Sequence, residues 1–295
     1  MSSLALDGNV LAILDLALAE DIGAGDVTAI ATVPGETIAT ATMLAKQPGV
    51  IYGLEVAQAA FQRVDSRLAF RALVEDGDSI EAMTRIAIIK GGARSILQAE
   101  RVALNFIQRL SGVATIAAAY VAAIQGTTAR IVDTRKTTPG MRVLEKRAVV
   151  AGGAHNHRFG LSDGILIKDN HLAAIGGPDR IATAISLARQ SAPHTLKIEI
   201  EVTTISQVKE ALDAGAEIIM LDNMTVAEMS AAVQTIAGRA IVEASGGITL
   251  NNVAEVAASG VDLISIGALT HSAPSLDISL DFAIGGDSLV NQAVS

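Results

Sequence analysis

The stretch LKIEIEVTTISQVKEALDAGAEIIMLD, Leu196 to Asp222, decides how this chain folds. Leu196–Val202 is a strand-like apolar run, Ser206–Ala214 has a helical pattern, and Glu217–Leu221 is a second apolar run. A strand, a helix and a strand joined by short links read as one right-handed βαβ unit with parallel strands. Nearly continuous apolar runs suit strands covered on both faces. Each run carries a carboxylate at its end, Glu201 in the first and Asp222 just after the second.

The same rhythm continues on both sides. Further strands are expected at Ala129–Val132, Gly164–Ile167, Ala240–Val242 and Val261–Ile266. Helices are expected at Arg142–Ala151, Pro178–Gln190, Val226–Ala237 and Asn252–Ala258. The strand ends carry, in order, Asp133 with Arg135, Lys168, Glu201, Asp222, Glu243 with Ser245, and Gly267 leading to His271. Packing alone does not ask for functional side chains there. In a parallel α/β barrel these ends form one mouth that holds the active site, whereas an open doubly wound sheet uses only a few of them. A barrel is therefore expected. The Gly-containing turns Ala244–Ile248 and Ile266–His271 follow its last strands, where barrels commonly bind phosphate through backbone N–H groups.

The first third reads differently. An amphipathic helix carries Val10, Leu11, Leu14 and Leu18 on one face, and a Gly-rich loop follows at Ile22–Asp26. Strands are expected at Thr37–Ala45, Leu68–Val74 and Arg85–Lys90, with helices at Leu54–Val64 and Ala93–Leu110. Without regular crossovers between its strands, this part is expected to form a separate α+β domain. Asp76 and Asp78 read as a solvated hairpin turn. Arg101 reads as a surface charge paired within its own helix.

Composition narrows the function. Of 295 residues, 50% are apolar and 2% aromatic, so a large core is available but it is aliphatic. A net charge of -9 and the lack of stacking residues argue against nucleic acid as a partner. The chain has no cysteine, which excludes disulfides and thiol nucleophiles. The opening segment carries Asp7, Asp15, Glu20 and Asp21 and reads as a helix, not a signal peptide. Leu110–Ala129 is free of charge but broken by Ser111, Gly112 and Gln125, and reads as a buried helix and a turn. A cytoplasmic protein without a membrane partner is expected.

Against the acidic background, Val132–Leu172 concentrates Arg135, Lys136, Arg142, His157, Arg158, Lys168 and His171. Cations gathered at one barrel mouth repel unless a multiply anionic small ligand joins them. Arginine grips planar carboxylates bidentately, and lysine serves phosphate as a point charge. Glu201 and Asp222 suit sugar hydroxyls, a divalent metal or a developing positive charge. Two anion sites beside paired carboxylates fit transfer of a phosphorylated sugar. Arg142, Glu145, Lys146 and Arg147 look like a solvated helix face, and Asn170 and His155 like local caps.

The motifs Asp133-Thr-Arg-Lys-Thr-Thr-Pro-Gly, Gly152-Gly-Ala-His-Asn-His-Arg-Phe-Gly-Leu, Ile167-Lys-Asp-Asn-His, Ile198-Glu-Ile-Glu-Val, Met220-Leu-Asp-Asn, Ser245-Gly-Gly and Gly267-Ala-Leu-Thr-His resemble those of the quinolinate phosphoribosyltransferases, or nicotinate-nucleotide pyrophosphorylases (carboxylating). The resemblance runs from Glu20-Asp-Ile-Gly to Leu280-Asp, nearly the whole chain. One departure is Ala154, where many relatives have a third glycine.

The resemblance implies an N-terminal α/β sandwich over 1–112, completed by 275–295, and an incomplete six- or seven-stranded parallel α/β barrel over 113–274. It implies conversion of quinolinate and phosphoribosyl pyrophosphate to nicotinate mononucleotide, pyrophosphate and CO2 with Mg2+. Arg135, His157, Arg158 and Lys168 would hold the quinolinate carboxylates. Arg101 would join them from the second subunit of a homodimer, which overrides its reading as a plain surface charge. Lys136 and Lys168 would meet phosphoribosyl pyrophosphate, with Glu201 and Asp222 near its ribose and metal. Ser245, Gly246, Gly267 and His271 would bind its 5′-phosphate. The competing expectations are nicotinate phosphoribosyltransferase without decarboxylation, a relative associated with molybdenum transport, an aldolase-like Schiff base at Lys136 or Lys168, and a non-catalytic phosphoribosyl sensor.

Overall fold

The structure, a computed structural model, describes residues 7–284. The chain divides into two compact units. The first takes the chain up to Ile116, Thr138–Gly152 and the chain from Ala273 on; the second takes Ala117–Thr137 and Gly153–Ser272. The expected single stretch 113–274 is thus interrupted, because Thr138–Gly152 groups with the first unit. Of the expected completing segment 275–295, the part beyond residue 284 lies outside the described residues.

In the first unit, helices α1 (Gly8–Ile22) and α2 (Val27–Thr32) open the chain, each capped by an aspartate, Asp7 or Asp26, that accepts a backbone N–H of the first turn. Then come β1 (Ile38–Ala45), β2 (Gly49–Val50), α3 (Leu54–Val64), β3 (Ala69–Ala72), β4 (Ser79–Ile80), β5 (Arg85–Gly92) and α4 (Ala93–Ala123). The main sheet has the order β12-β1-β5-β3, where β12 (Ile278–Ile284) returns from the chain end to pair antiparallel with β1. Alternation in β1 buries Ala39, Ala41 and Met43, while Ile86 and Ile89 of β5 are buried beside them. By length and composition α4 passes for a membrane span; Ile96, Val102, Ile107, Leu110 and Val113 on it are buried in the fold. Gly112 in α4 lies where a Cβ would come within 1.9 Å of the Pro274 carbonyl oxygen, so only glycine lets the returning chain pass.

Two charged features depart from expectation. Asp76 is not a solvated turn residue: its carboxylate accepts the N–H groups of Gly53 and Leu54 at 2.9 and 3.1 Å and so caps α3. Burial raises its pKa, and the two backbone N–H groups oppose that rise. The supposed solvated face of α5 (Arg142–Ala151) buries Glu145 and Lys146. Glu145 accepts from Arg109 of α4 at 2.7 Å and from the N–H and hydroxyl of Thr138 at 2.9 and 2.8 Å.

The second unit is a parallel sheet. Its strands are β6 (Arg130–Val132), β7 (Ile165–Ile167), β8 (Ile198–Val202), β9 (Ile218–Asp222), β10 (Ile241–Ser245) and β11 (Leu263–Ser265). Helices α6 (Asp169–Ile175), α7 (Arg180–Ser191), α8 (Ile205–Asp213), α9 (Val226–Ile236), α10 (Val253–Ala258) and α11 (Ala268–His271) alternate with them. The short α2, α6 and α11 are elements the sequence pattern does not show. The order is β6-β11-β10-β9-β8-β7, so the first strand pairs with the last and the opening falls between β6 and β7. A seventh strand survives as a single bridge: the His155 N–H donates to Ile131, and its carbonyl accepts from the Asp133 N–H. His155 is thus a sheet residue, not a cap, and the unit is an incomplete α/β barrel.

Asp76→Ala should destabilise the protein by ~1–2 kcal/mol in urea denaturation, the typical worth of an N-terminal helix cap. Asp76→Asn keeps the acceptor and should retain most of that stability.

Candidate active site

Because all six strands run parallel, their carboxyl ends open on one side. A cavity of about 630 Å³ lies there, lined by side chains of the second unit alone. Arg135, Lys136, Arg158 and Lys168 contribute four cations to its wall, and Glu201 and Asp222 contribute carboxylates. Ser245 and Gly246 complete a polar side, while Leu166 and Met220 give it an apolar patch. Arg101 sits on α4 in the first unit and is exposed. Gly267 and His271 lie just behind the wall: a Cβ on Gly267 would come within 3.0 Å of Lys136 Cδ and 3.1 Å of the His271 ring. The Thr270 hydroxyl donates to the Lys136 carbonyl at 2.8 Å, tying this turn to the basic loop.

Strand alternation aims these side chains. In Ile198-Glu199-Ile200-Glu201-Val202 the three apolar residues are buried on the outer face, and both glutamates project inward. Glu201 reaches the mouth, where its carboxylate accepts from the Lys168 ammonium. Asp222, one strand over, accepts from the Asn223 amide at 2.8 Å. Asn223 has φ 54 and donates its N–H to the Ser245 carbonyl at 2.9 Å. Its side-chain oxygen lies 2.3 Å from where a Cβ on Gly246 would stand, and Gly246 itself has φ +89. The Ser245-Gly246-Gly247 turn therefore needs glycine twice over, for conformation and for space.

Two of the cations, Arg135 and Arg158, oppose each other. Burial pushes the Arg158 guanidinium below its usual pKa, as does the nearby Arg135, while Glu199 and Asp163 pull it back. The site is built for negative charge.

His157 and Glu243 also line this cavity, and with Glu199 they form a layer of charge. Nε2 of His157 stands 3.3 Å from Glu199 and 3.5 Å from Glu243. Burial lowers the His157 pKa, but the two carboxylates more than reverse this and carry it up to about 10. The Arg158 N–H acts against that cation, because it donates to Nδ1 at 2.7 Å, where the second proton of an imidazolium would have to sit. The geometry places the ring proton on Nε2, and a full imidazolium would have to open the Arg158 bond. Both ring nitrogens thus have protein partners, and the ring also lines the mouth cavity where its grip on a carboxylate was expected. The Glu199 carboxylate is not among the functional residues picked from the sequence, although the alternation Ile-Glu-Ile-Glu-Val signals it. Glu243 was expected at a strand end beside Ser245; it is buried and lines the same cavity. Asp133, fully buried, accepts the His157 N–H at 2.8 Å. His171 serves its own helix, accepting the Lys168 N–H at Nδ1.

Which chemistry this mouth serves is decided by comparison. The model of the quinolinate phosphoribosyl transferase C-terminal domain matches residues 113–281, and that of the N-terminal domain matches 26–111. The chain belongs to the quinolinate phosphoribosyl transferase family. It is 44% identical over 270 residues to the probable nicotinate-nucleotide pyrophosphorylase (carboxylating) of Bacillus subtilis, covering 92% of each chain. It is likewise 44% identical to the nicotinate-nucleotide pyrophosphorylase (carboxylating) of Mycobacterium leprae, covering 90% of this chain and 94% of that one. The solved structure of the enzyme from Francisella tularensis superposes with a TM-score of 0.87 at 37% identity, covering 93% and 96% of the two chains.

Crowded cations predict a charge-selective site. An aromatic dicarboxylate such as phthalate should raise the melting temperature, since a ligand that binds only the native state stabilises it. Benzoate at equal concentration should raise it less, and added salt should shrink the difference.

Proposed function

We propose that the residues of the mouth divide among themselves the family's reaction, transfer of phosphoribosyl from phosphoribosyl pyrophosphate to quinolinate with loss of CO2. The chain is a decarboxylating pentosyltransferase of NAD biosynthesis. The observation that carries the assignment of roles is the convergence of Arg135, Lys136, Arg158 and Lys168 on one cavity that also holds Glu201 and Asp222.

Arg135 and Arg158 hold the two quinolinate carboxylates, with Lys168 beside them. His157 lines the same cavity beside them and also accepts the Arg158 N–H at Nδ1. Lys136 meets the pyrophosphate, and the Ser245–Gly246 turn with Gly267 and His271 receives the 5′-phosphate. Glu201 and Asp222 face the ribose hydroxyls and the ring that becomes positive. The pyridine nitrogen forms its bond to the anomeric carbon as the bond to pyrophosphate breaks. The resulting pyridinium stabilises the electron pair left on C2 when the 2-carboxylate departs as CO2, and a proton then takes its place. Positioning and charge suffice, with no covalent intermediate on the protein.

Mg2+ suits the same donor set. Glu201 and Asp222 offer hard carboxylate oxygens from adjacent strands, and this ion favours one or two carboxylates plus substrate phosphates. When bound, it would neutralise the departing pyrophosphate. Lys168, already paired with Glu201, keeps that carboxylate aimed. A cytoplasmic homodimer in which Arg101 enters the partner's site completes the proposal. The exposure of Arg101 on α4 suits it to that role.

With purified protein, quinolinate, phosphoribosyl pyrophosphate and Mg2+, CO2 and pyrophosphate should appear in equal amounts. Pyrophosphate release from nicotinate without CO2 would support the non-decarboxylating alternative. Arg135→Ala should raise KM for quinolinate about tenfold or more, ~1.4 kcal/mol, with KM for phosphoribosyl pyrophosphate little changed; equal loss of both sinks its assignment. Mixing the inactive Arg101→Ala and Lys168→Ala proteins should restore roughly a quarter of wild-type activity, as expected of random reassortment in a symmetric dimer with shared sites.

A further inference from the structure

The roles above leave Glu199 and Glu243 without a task. Both are almost fully buried, with 4% and 1% of their surface exposed. Glu199 Oε1 and both oxygens of Glu243 accept no close hydrogen bond from another protein group, the nearest donor to Glu243 being His157 Nε2 at 3.5 Å. At this level a barrel interior is ordinarily filled with branched apolar side chains. Two facing carboxylates so poorly supplied with donors weaken the fold they sit in. Such a cost persists where function needs it.

What lies directly above them is the quinolinate side of the mouth. His157 is held at three points: its N–H by Asp133 at 2.8 Å, its Nε2 by Glu199 with Glu243 close by, and its Nδ1 by the Arg158 N–H at 2.7 Å. The Arg158 guanidinium then donates to the Gly164 carbonyl at 2.9 Å, which sets its reach. A chain of contacts therefore runs from the buried carboxylates, through the imidazole, into the backbone of an arginine that faces the cavity. We propose that Glu199 and Glu243 are positioning residues of the reaction, holding the His157 ring in one tautomer and orientation and thereby placing Arg158 against quinolinate. The inference deepens the functional reading above and rests on it.

A metal ion is the rival occupant of this cluster, since the three ligand atoms lie within 4.8 Å of one another. An ion on Nε2 would leave the proton of a neutral ring on Nδ1, pointing at the Arg158 N–H. Two donors would then face each other. The geometry favours a proton over an ion.

The test compares wild type with Glu199→Gln and Glu243→Gln in steady-state kinetics and thermal melting. Each variant should lose about tenfold or more in kcat/KM for quinolinate, the scale of a small misplacement in a reacting site. For Glu199→Gln, KM for phosphoribosyl pyrophosphate should stay within about twofold, because the 5′-phosphate turn follows β10 and not β8. The melting temperature should hold or rise, because each change removes a buried, poorly partnered carboxyl group. A fall in melting temperature alongside activity would mean a structural role and overturn the proposal, as would unchanged kinetics. So would stoichiometric Zn2+ binding in calorimetry that Glu243→Gln abolishes. If one variant fails to fold, the other carries the test. A wild-type protein that releases no CO2 from quinolinate defeats the functional reading itself, a result separate from any of these.

Discussion

Like-charge repulsion at the barrel mouth is the constraint on which the rest of this structure depends. Arg135, Lys136, Arg158 and Lys168 share one wall, and in a partly desolvated cavity such a group is held only by a rigid frame and counter-charge. The frame is the sheet, whose parallel strands bring the cations to the same end. The counter-charge comes in two layers, Glu201 beside Lys168 at the rim and Glu199 with Glu243 below His157. In the proposed reaction a dianionic substrate would finish the neutralisation. Affinity and selectivity then have a common origin, since a ligand lacking a second carboxylate leaves part of the repulsion in place.

Much of this was readable in the chain. The six strands stand where β-branched runs predicted them, within a few residues, because a strand covered on both faces must be apolar throughout. Leu54–Val64 and Arg142–Ala151 match their helices end to end. The residues gathered at the mouth were legible as strand ends, for the same reason that a polar side chain closing an apolar run is conspicuous. The seventh strand was not legible, because one bridging residue, His155, leaves no pattern.

Other features escaped because their partners are far away in the sequence. Asp76 caps a helix that begins 22 residues earlier, and no local rule joins the two. Glu145 looks like a surface charge until Arg109 and Thr138 are brought to it. Glu199 is a different case, since the alternation of β8 announces an inward carboxylate one layer beneath Glu201. A polar residue that closes an apolar run stands out in a sequence, whereas one inside the run shows its face only through alternation. The extent of the two units also escaped, because Thr138–Gly152 follows its contacts and not its place in the chain.

The strand order has a consequence for how the second unit is made. β6 is the first of its strands to leave the ribosome, yet its neighbour in the sheet is β11, the last. Until that strand is synthesised, β6 has only the His155 bridge for company. Pairing elements so distant along the chain is slow, because the loop they close is long. The sheet can grow from β7 through β10 during translation, but its seam between beginning and end closes last. The basic loop that follows β6 therefore takes up its place only when the whole unit is complete.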